Sequence, residues 1–272
     1  MTLTHKDIVA VIVLYTGEKK LTSISLEKLK ESKIKTYVYD NSPESTILVN
    51  IETNDLESVV YKHDPRNHGL ATAYNWVLSK EFEKKWILLL DQDTILEDRY
   101  FEELWTVRNP EIYDAILPLI RDKTSEVIIS PLQYIYGNRS KPINNLDQFK
   151  GNIRAINSGS LLRIKTLKKI NYFDQAFPLD YLDHITYYRL NQLKSKYLIL
   201  NSELKHELSV TNISNDYPIN RLKSILKSER KFHRIEGKYS LLFFYFRQAK
   251  ILAGYLIRGR FRLFIITLRS LF

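Results

Sequence analysis

Asp91-Gln92-Asp93 directly follows the apolar run Trp86-Ile87-Leu88-Leu89-Leu90, so two carboxylates leave a buried strand at its carboxyl end with their side chains on the same side. Hard oxygen ligands so placed suit Mg2+ or Mn2+ bridging a diphosphate. A second segment, Asn67-His68-Gly69-Leu70-Ala71-Thr72-Ala73-Tyr74-Asn75, sets a glycine ahead of a helix, where backbone can approach a ligand. Within it Ala71 and Ala73 permit close helix packing, while Asn67 and Asn75 can reach polar groups from loop and helix. Further on, Asp180 and Asp183 stand three apart and share a face if helical. Either could serve as a general base, which must sit within hydrogen-bond reach of the hydroxyl it deprotonates.

These residues need a scaffold that brings them together. Ile8-Val9-Ala10-Val11-Ile12-Val13-Leu14-Tyr15 is a near-continuous apolar, β-branched run of the kind a strand covered on both faces requires. Thr36–Asp40, Val59–Tyr61, Trp86–Leu90 and Tyr197–Leu200 read as further strands. Helical stretches lie around Leu21–Ser32 and Leu70–Ser79, the latter with apolar residues at 70, 73, 74, 77 and 78 on one face. Such alternation predicts a right-handed, doubly wound parallel sheet, whose ligands bind beyond the carboxyl ends of the strands. The turns at that edge are Tyr15-Thr16-Gly17, Asp40-Asn41-Ser42, His63-Asp64 and Asp91-Gln92-Asp93, and three of the four carry carboxylates. The polar stretch Gly137 to Gly151 reads as a loop ahead of a less regular half.

A length of 272 residues with 44% hydrophobic content fits one large α/β domain with an appendage. The absence of cysteine excludes a disulfide framework and a thiolate metal site, and suits a reducing cytoplasmic compartment. Met1 to Asp7 lacks the basic start and cleavage site of a signal peptide, and Ile8–Tyr15 is too short to span a bilayer. The net charge of +10 is uneven: residues 221–272 hold 13 Lys/Arg against two Glu, leaving 28 basic and 29 acidic residues in 1–220. A near-neutral body argues against a nucleic-acid groove, whereas a basic, aromatic-rich tail suits anionic lipid. In that tail Leu241–Phe246, Ile251–Ile257 and Leu263–Leu268 are separated by basic residues. Taken as one continuous helix, Arg247, Lys250, Arg258, Arg262 and Arg269 fall within an arc of about 120°, with Arg260 outside it and a broad apolar face opposite.

The ordered series of first strand, Asp40-Asn41-Ser42, Asn-x-Gly-x-Ala-x-Ala-x-Asn over 67–75, strand and Asp-Gln-Asp resembles the family 2 glycosyltransferases of the GT-A fold. Within them it is most similar to the bacterial rhamnosyltransferase-like branch. The second half continues the likeness with Asn157-Ser158-Gly159, Phe173-Asp174-Gln175-Ala176-Phe177 and Asp180-Tyr181-Leu182-Asp183-His184, followed by Arg189. The resemblance implies Asp183 as the catalytic base, and Asp93 and Asp91 with His206 as metal ligands. It implies donor contacts from Tyr15, Asp40, Asn67, Gly69, Asn75 and Asp91, with Tyr15 and Asp40 lining the nucleoside pocket. Asn157, Ser158, Gly159 and Asp180 fall on the acceptor side. Tyr15-Thr16 replaces the family's usual Tyr-Asn, and Asn171-Tyr172 stands where a glycine usually precedes the Phe-Asp pair.

Carried through, the resemblance implies a GT-A catalytic domain over 1–220, with a nucleotide-binding half to about 95 and an acceptor half beyond, then a basic amphipathic helical tail over 221–272. The implied activity is inverting, Mg2+- or Mn2+-dependent transfer of a sugar from a nucleotide-sugar donor to a lipid-linked surface or capsular polysaccharide intermediate. The branch favours dTDP-rhamnose over a UDP-hexose or UDP-galactofuranose. The implied place is the inner, cytoplasmic face of the cell membrane, with the tail on anionic lipid and no nucleic-acid partner. Two rivals fit less well. An inactive membrane scaffold has no need of Asp91, Asp93 and Asp183 together, and a nucleotidyltransferase wants a glycine-rich, basic loop where Tyr15-Thr16-Gly17-Glu18 supplies one glycine and an acid.

Overall fold

The β-branched, apolar run near the amino terminus forms β1 (Ile8–Leu14), and Ile8 to Val13 are all buried, as a central strand demands. The structure, a computed structural model, describes residues 2–16, 19–44, 58–81, 83–136, 139–143, 149, 151–206 and 218–271. From β1 the chain continues through α1 (Lys19–Glu31), β2 (Lys35–Asp40), β3 (Val59–His63), α2 (Leu70–Lys80), β4 (Trp86–Asp91) and α3 (Asp98–Thr106). Then come β5 (Ala115–Asp122), β6 (Ile128–Ser130), β7 (Leu132–Tyr136), β8 (Arg139–Lys141) and β9 (Ile153–Arg154). After these lie β10 (Leu161–Arg163), α4 (Ile164–Lys169), α5 (Leu182–Gln192) and β11 (Tyr197–His206). The stretch expected as a loop from Gly137 to Gly151 includes the short β8; residues 137, 138, 144–148 and 150 lie outside the described ones. Two compact units result, Met1–Gln133 with Pro142–Glu207, and Tyr134–Lys141 with Leu208–Phe272.

The first unit is built on a sheet of order β11-β5-β10-β4-β1-β2-β3, with β6 paired to β5. Strand β1 runs parallel to β2 and β4, with Leu14 opposite Asp40 and Val13 opposite Asp91. That register brings the ends of all three strands, and their carboxylates, to one edge. The sheet is mostly parallel and flanked by helices, the GT-A architecture expected, and its antiparallel members are β6 beside β5 and the short β10. Strand β10 lies antiparallel between β4 and β5. An antiparallel neighbour needs no helical crossover, so a three-residue strand can slot in after a short turn. Its reversed direction delivers residues 157–160, which precede it, to the carboxyl edge of β4: Gly159 N–H donates to Leu89 O at 2.8 Å, and Leu89 N–H to Ser160 O at 3.1 Å.

Trp86 to Leu90 of β4 are all at most 2% exposed. One face of the sheet packs Leu26 and Leu29 of α1 with Tyr100, Phe101 and Leu104 of α3. Helix α2 buries Ala73, Tyr74, Val77 and Leu78 of the face its apolar spacing predicts, together with Ala71, while Leu70 is only half-buried. Burial at about 1.5–3 kcal/mol per large aliphatic side chain makes this core the main source of rigidity beneath the edge.

The second unit holds α6 (Ile219–Glu236), α7 (Lys238–Ile257) and α8 (Phe261–Ser270), packed through Leu222, Leu226, Tyr255 and Leu263. The continuous tail helix expected from sequence is broken between α7 and α8. Gly259 adopts φ +66°, and Arg260 N–H closes back on Tyr255 O at 2.8 Å, a glycine-dependent helix stop. The single basic arc is thereby split over two helices. On their surfaces Tyr239, Leu242, Phe243, Phe246, Ile257 and Phe261 are exposed, with Lys250 over the Phe246 ring at 4.6 Å and Lys238 over Tyr239 at 5.2 Å. Among the described residues no helix is long and apolar enough to cross a membrane.

Candidate active site

At the end of β4 the chain turns sharply over Asp91-Gln92-Asp93, with Thr94 N–H donating to Asp91 O at 3.2 Å. Three contacts fix this turn. Asp91 N–H donates to Ser158 Oγ at 3.1 Å, and the buried Thr94 hydroxyl packs hydrogen-bonded against the same Ser158 Oγ. Gln92 Oε1 accepts Tyr15 N–H at 2.7 Å, tying the turn to the end of β1. Thus Ser158, expected on the acceptor side, is itself buried, and its hydroxyl holds the Asp91 turn.

Asp40 ends β2 fully buried, its two oxygens accepting from Ser42 N–H at 2.9 Å and Tyr61 hydroxyl at 2.6 Å. Ser42 Oγ in turn accepts Thr16 N–H at 3.0 Å, so Asp40 shapes the loops beside the exposed Tyr15 side chain. After β3 the buried Asp64 receives Arg66 in two hydrogen bonds at 2.7 and 2.8 Å and the Tyr39 hydroxyl at 2.9 Å. The Arg66 guanidinium holds the Asp64 carboxyl well below the usual carboxylate range, and burial together with Asp64 pushes the Tyr39 phenol up to about 12. This triad anchors the loop that carries Asn67, which is exposed at φ +48°.

Gly69 is dictated by close approach as well as by φ +84°: a Cβ there would lie 2.3 Å from Pro178 O. Ala71 N–H donates to that same carbonyl at 3.3 Å. One turn further, the Asn75 amide binds the Phe173 backbone reciprocally, Nδ2 to Phe173 O at 2.8 Å and Phe173 N–H to Oδ1 at 3.1 Å. Gly69 and Asn75, both expected at the donor, therefore clasp helix α2 to the segment that leads into α5.

That segment sets Asp183 in the first turn of α5, behind Tyr181 at φ +64°. Arg189 steadies the helix through Asp174 at 2.6 Å. Asp183 is recessed, its side chain 26% exposed, and its Oδ1 accepts both the His184 backbone N–H at 2.8 Å and a 2.7 Å contact with His184 Nδ1. Burial works to raise the Asp183 carboxyl, but the neighbouring His184 and then Arg154 outweigh it and hold the group below its ordinary value. It is ionised at neutral pH and able to accept a proton. Asp91 and Asp183 both act electrostatically on the buried Tyr74 phenol, which burial pushes far up. The sheet edge and the start of α5 thus each bring a carboxylate within electrostatic reach of that phenol. Asp180, half-buried, lies two residues before the helix starts.

Asp91 and Asp93 fit a hard divalent cation carried by a diphosphate, which takes one or two protein carboxylates and completes its shell from phosphate and water. Among the described residues no group of three acidic or histidine side chains is placed to hold a metal ion. His206 ends β11, and its side chain lies outside the described residues.

The sequence profile of glycosyl transferase family 2 matches residues 10–171, more than half of the chain. The chain belongs to glycosyl transferase family 2. Among solved structures it is similar in fold to GalNAc-T7 with UDP, GalNAc and Mn2+, at 14% identity and a TM-score of 0.57, over 84% of this chain and 47% of that one. It is similar also to S. aureus TarS 1–349 in complex with UDP, at 14% identity and a TM-score of 0.55, over 84% and 65%. The same TarS fragment with UDP-GlcNAc gives 14% and 0.53, over 84% and 66%. The chain spans about half the length of GalNAc-T7 and about two thirds of TarS 1–349. No curated protein matches it. The family 2 span includes Asp40, Asn67 to Asn75, Asp91 to Asp93 and Asn157 to Gly159, while Asp180, Asp183 and His206 lie past its end.

Several residues at this family 2 site carry no assignment from sequence. Gln92 joins two strands through a partner 77 positions away, His184 touches Asp183, and Asn41 Oδ1 and the Tyr74 hydroxyl are buried without hydrogen-bond partners, as is Oδ1 of Asn157, a residue already expected on the acceptor side. Only their adjacency to Asp40, Asn75, Asp91 and Asp183 signals them. Because Gly69 is fixed by both backbone angle and Pro178, Gly69→Ala should cost about 1–3 kcal/mol in urea unfolding, whereas the neighbouring Thr72→Ala should stay within about 0.5 kcal/mol. Equal unfolding midpoints for Gly69→Ala and the unaltered protein would contradict the close approach.

Proposed function

We propose that this family 2 glycosyltransferase transfers a sugar, with inversion, from a nucleotide-sugar onto a lipid-linked surface or capsular glycan intermediate. The observation that supports the reading is that Asp91 at the sheet edge and Asp183 of α5 both act on the same buried phenol, Tyr74, with Asp93 two residues beyond Asp91 in the same turn. The ionised Asp183 takes the proton of the acceptor hydroxyl as that oxygen forms its bond to the anomeric carbon. The bond from that carbon to the diphosphate oxygen breaks in the same displacement, and the nucleoside diphosphate leaves. Asp93 and Asp91, with His206 as the third expected ligand, would hold Mg2+ or Mn2+, which when bound neutralises charge on the diphosphate. Tyr15 and the loop shaped by Asp40 would border the nucleoside; Asn157 and Asp180 would face the acceptor.

For the donor, similarity to the rhamnosyltransferase-like branch supports dTDP-rhamnose. A second reading, a UDP-hexose, draws support from fold relatives solved with UDP and UDP-GlcNAc. A panel of dTDP-rhamnose, UDP-hexoses and UDP-galactofuranose, screened for release of nucleoside diphosphate with Mg2+ or Mn2+, separates the two. In that assay Asp93→Ala should lose turnover. Asp183→Asn should fall about 10²-fold or more with donor affinity little changed, because the amide keeps the shape but takes no proton. Release from no donor, or full turnover in either variant, would sink the reading.

Residues 1–220 would then be the catalytic domain and 221–272 a membrane-surface tail on the cytoplasmic face. The support is the interleaving of exposed Leu242, Phe243, Phe246, Ile257 and Phe261 with Lys and Arg, each basic residue being worth about 1 kcal/mol near anionic lipid. The full chain should sediment with phosphatidylglycerol vesicles at low salt and far less with phosphatidylcholine. Replacing Phe243, Phe246 and Ile257 by Ser should release it without unfolding, since all three are exposed. Protein that stays in the supernatant with both vesicles contradicts the tail's role.

A further inference from the structure

Tyr74 occupies a position that helical spacing alone reads as core. Its side chain is fully buried on α2, with its ring tilted against Phe173 at 5.0 Å between centroids. Yet the hydroxyl has no hydrogen-bond partner, an arrangement that native interiors rarely keep without cause. Phenylalanine would fill the same space without leaving a polar atom stranded.

What surrounds the hydroxyl supplies the cause. Asp91 and Asp183 act on it from two elements, and Tyr187 adds a third neighbour, its own hydroxyl already given to Ser160 Oγ at 2.9 Å. Asp183 uses Oδ1 for both of its contacts with His184, and no hydrogen bond reaches its Oδ2 among the described residues. A buried O–H without an acceptor thus lies within electrostatic reach of an ionised carboxylate whose contacts with His184 both fall on Oδ1. A hydrogen bond to an ionised group is among the strongest a side chain can make in such surroundings.

We propose that Tyr74 is a positioning residue for transfer: in the substrate-loaded site its hydroxyl donates to Asp183 Oδ2 and fixes the carboxylate that receives the acceptor proton. The assignment rests on Asp183 as the base. Tyr74 touches neither donor nor acceptor and acts through Asp183, so its effect belongs on turnover and not on donor binding.

The test is a double-mutant cycle of Tyr74→Phe and Asp183→Asn, read as kcat, donor KM and thermal midpoint of the full chain. Tyr74→Phe should lower kcat roughly tenfold or more, the scale of one hydrogen bond to a charged group, with donor KM within about twofold. Its thermal midpoint should equal or exceed that of the unaltered protein, since no bond made in the free protein is lost. In the Asp183→Asn background the same change should lower turnover no further. Multiplying effects, a kcat within twofold of the unaltered protein, or a fall in thermal midpoint would each overturn the role of Tyr74 while leaving the transfer reading standing. An unaltered protein that turns over no nucleotide sugar overturns both.

Discussion

The register between three parallel strands and one reversed strand is the constraint on which the site depends. Parallel pairing of β1 with β2 and β4 ends those strands together, which alone gathers Asp40 and Asp91 at one edge. The reversed β10 then brings Ser158 to that edge from the other side, where it accepts the Asp91 N–H. Were β10 parallel, the Asn157-Ser158-Gly159 turn would enter at the opposite end of the sheet. The single Ser158 to Asp91 bond contributes only about 0.5–1.5 kcal/mol, so the register, underwritten by the buried β1 and β4 core, decides the placement.

The edge so built holds groups that the free protein leaves unsatisfied. Asn41 Oδ1, Tyr74 hydroxyl and Asn157 Oδ1 are each buried without a partner, and a stranded polar atom costs about 1–3 kcal/mol. Against a typical folding margin of about 5–15 kcal/mol, three such costs at one edge are large. Around them, Asp40, Asp64, Ser158 and Asn75 are saturated with protein contacts. The saturated groups make the frame rigid, while the stranded ones add a cost that the buried core must offset.

Much of this was legible in sequence because it rests on patterns with short range. An apolar run ending in two acids marks β4 and its turn, and spacing at 73, 74, 77 and 78 marks the buried face of α2. What stayed hidden depends on distant partners. The direction of β10 is not written in three residues, and the duties of Gly69 and Asn75 depend on Pro178 and Phe173, about a hundred positions on. Tyr74 fits the apolar stripe so well that its hydroxyl attracts no notice. In the tail, Gly259 between two arginines breaks a helix that hydrophobic spacing carries straight through.

All of this bears on a claim about one displacement, driven by Asp183 on one side of the anomeric carbon while the diphosphate departs from the other. The stereochemistry of the product tests it most directly. With a donor that supports turnover, NMR of the anomeric proton and carbon in the isolated product should show the configuration opposite to that of the donor. Product of the donor's own configuration would contradict the account, since a single attack opposite the leaving group cannot retain it.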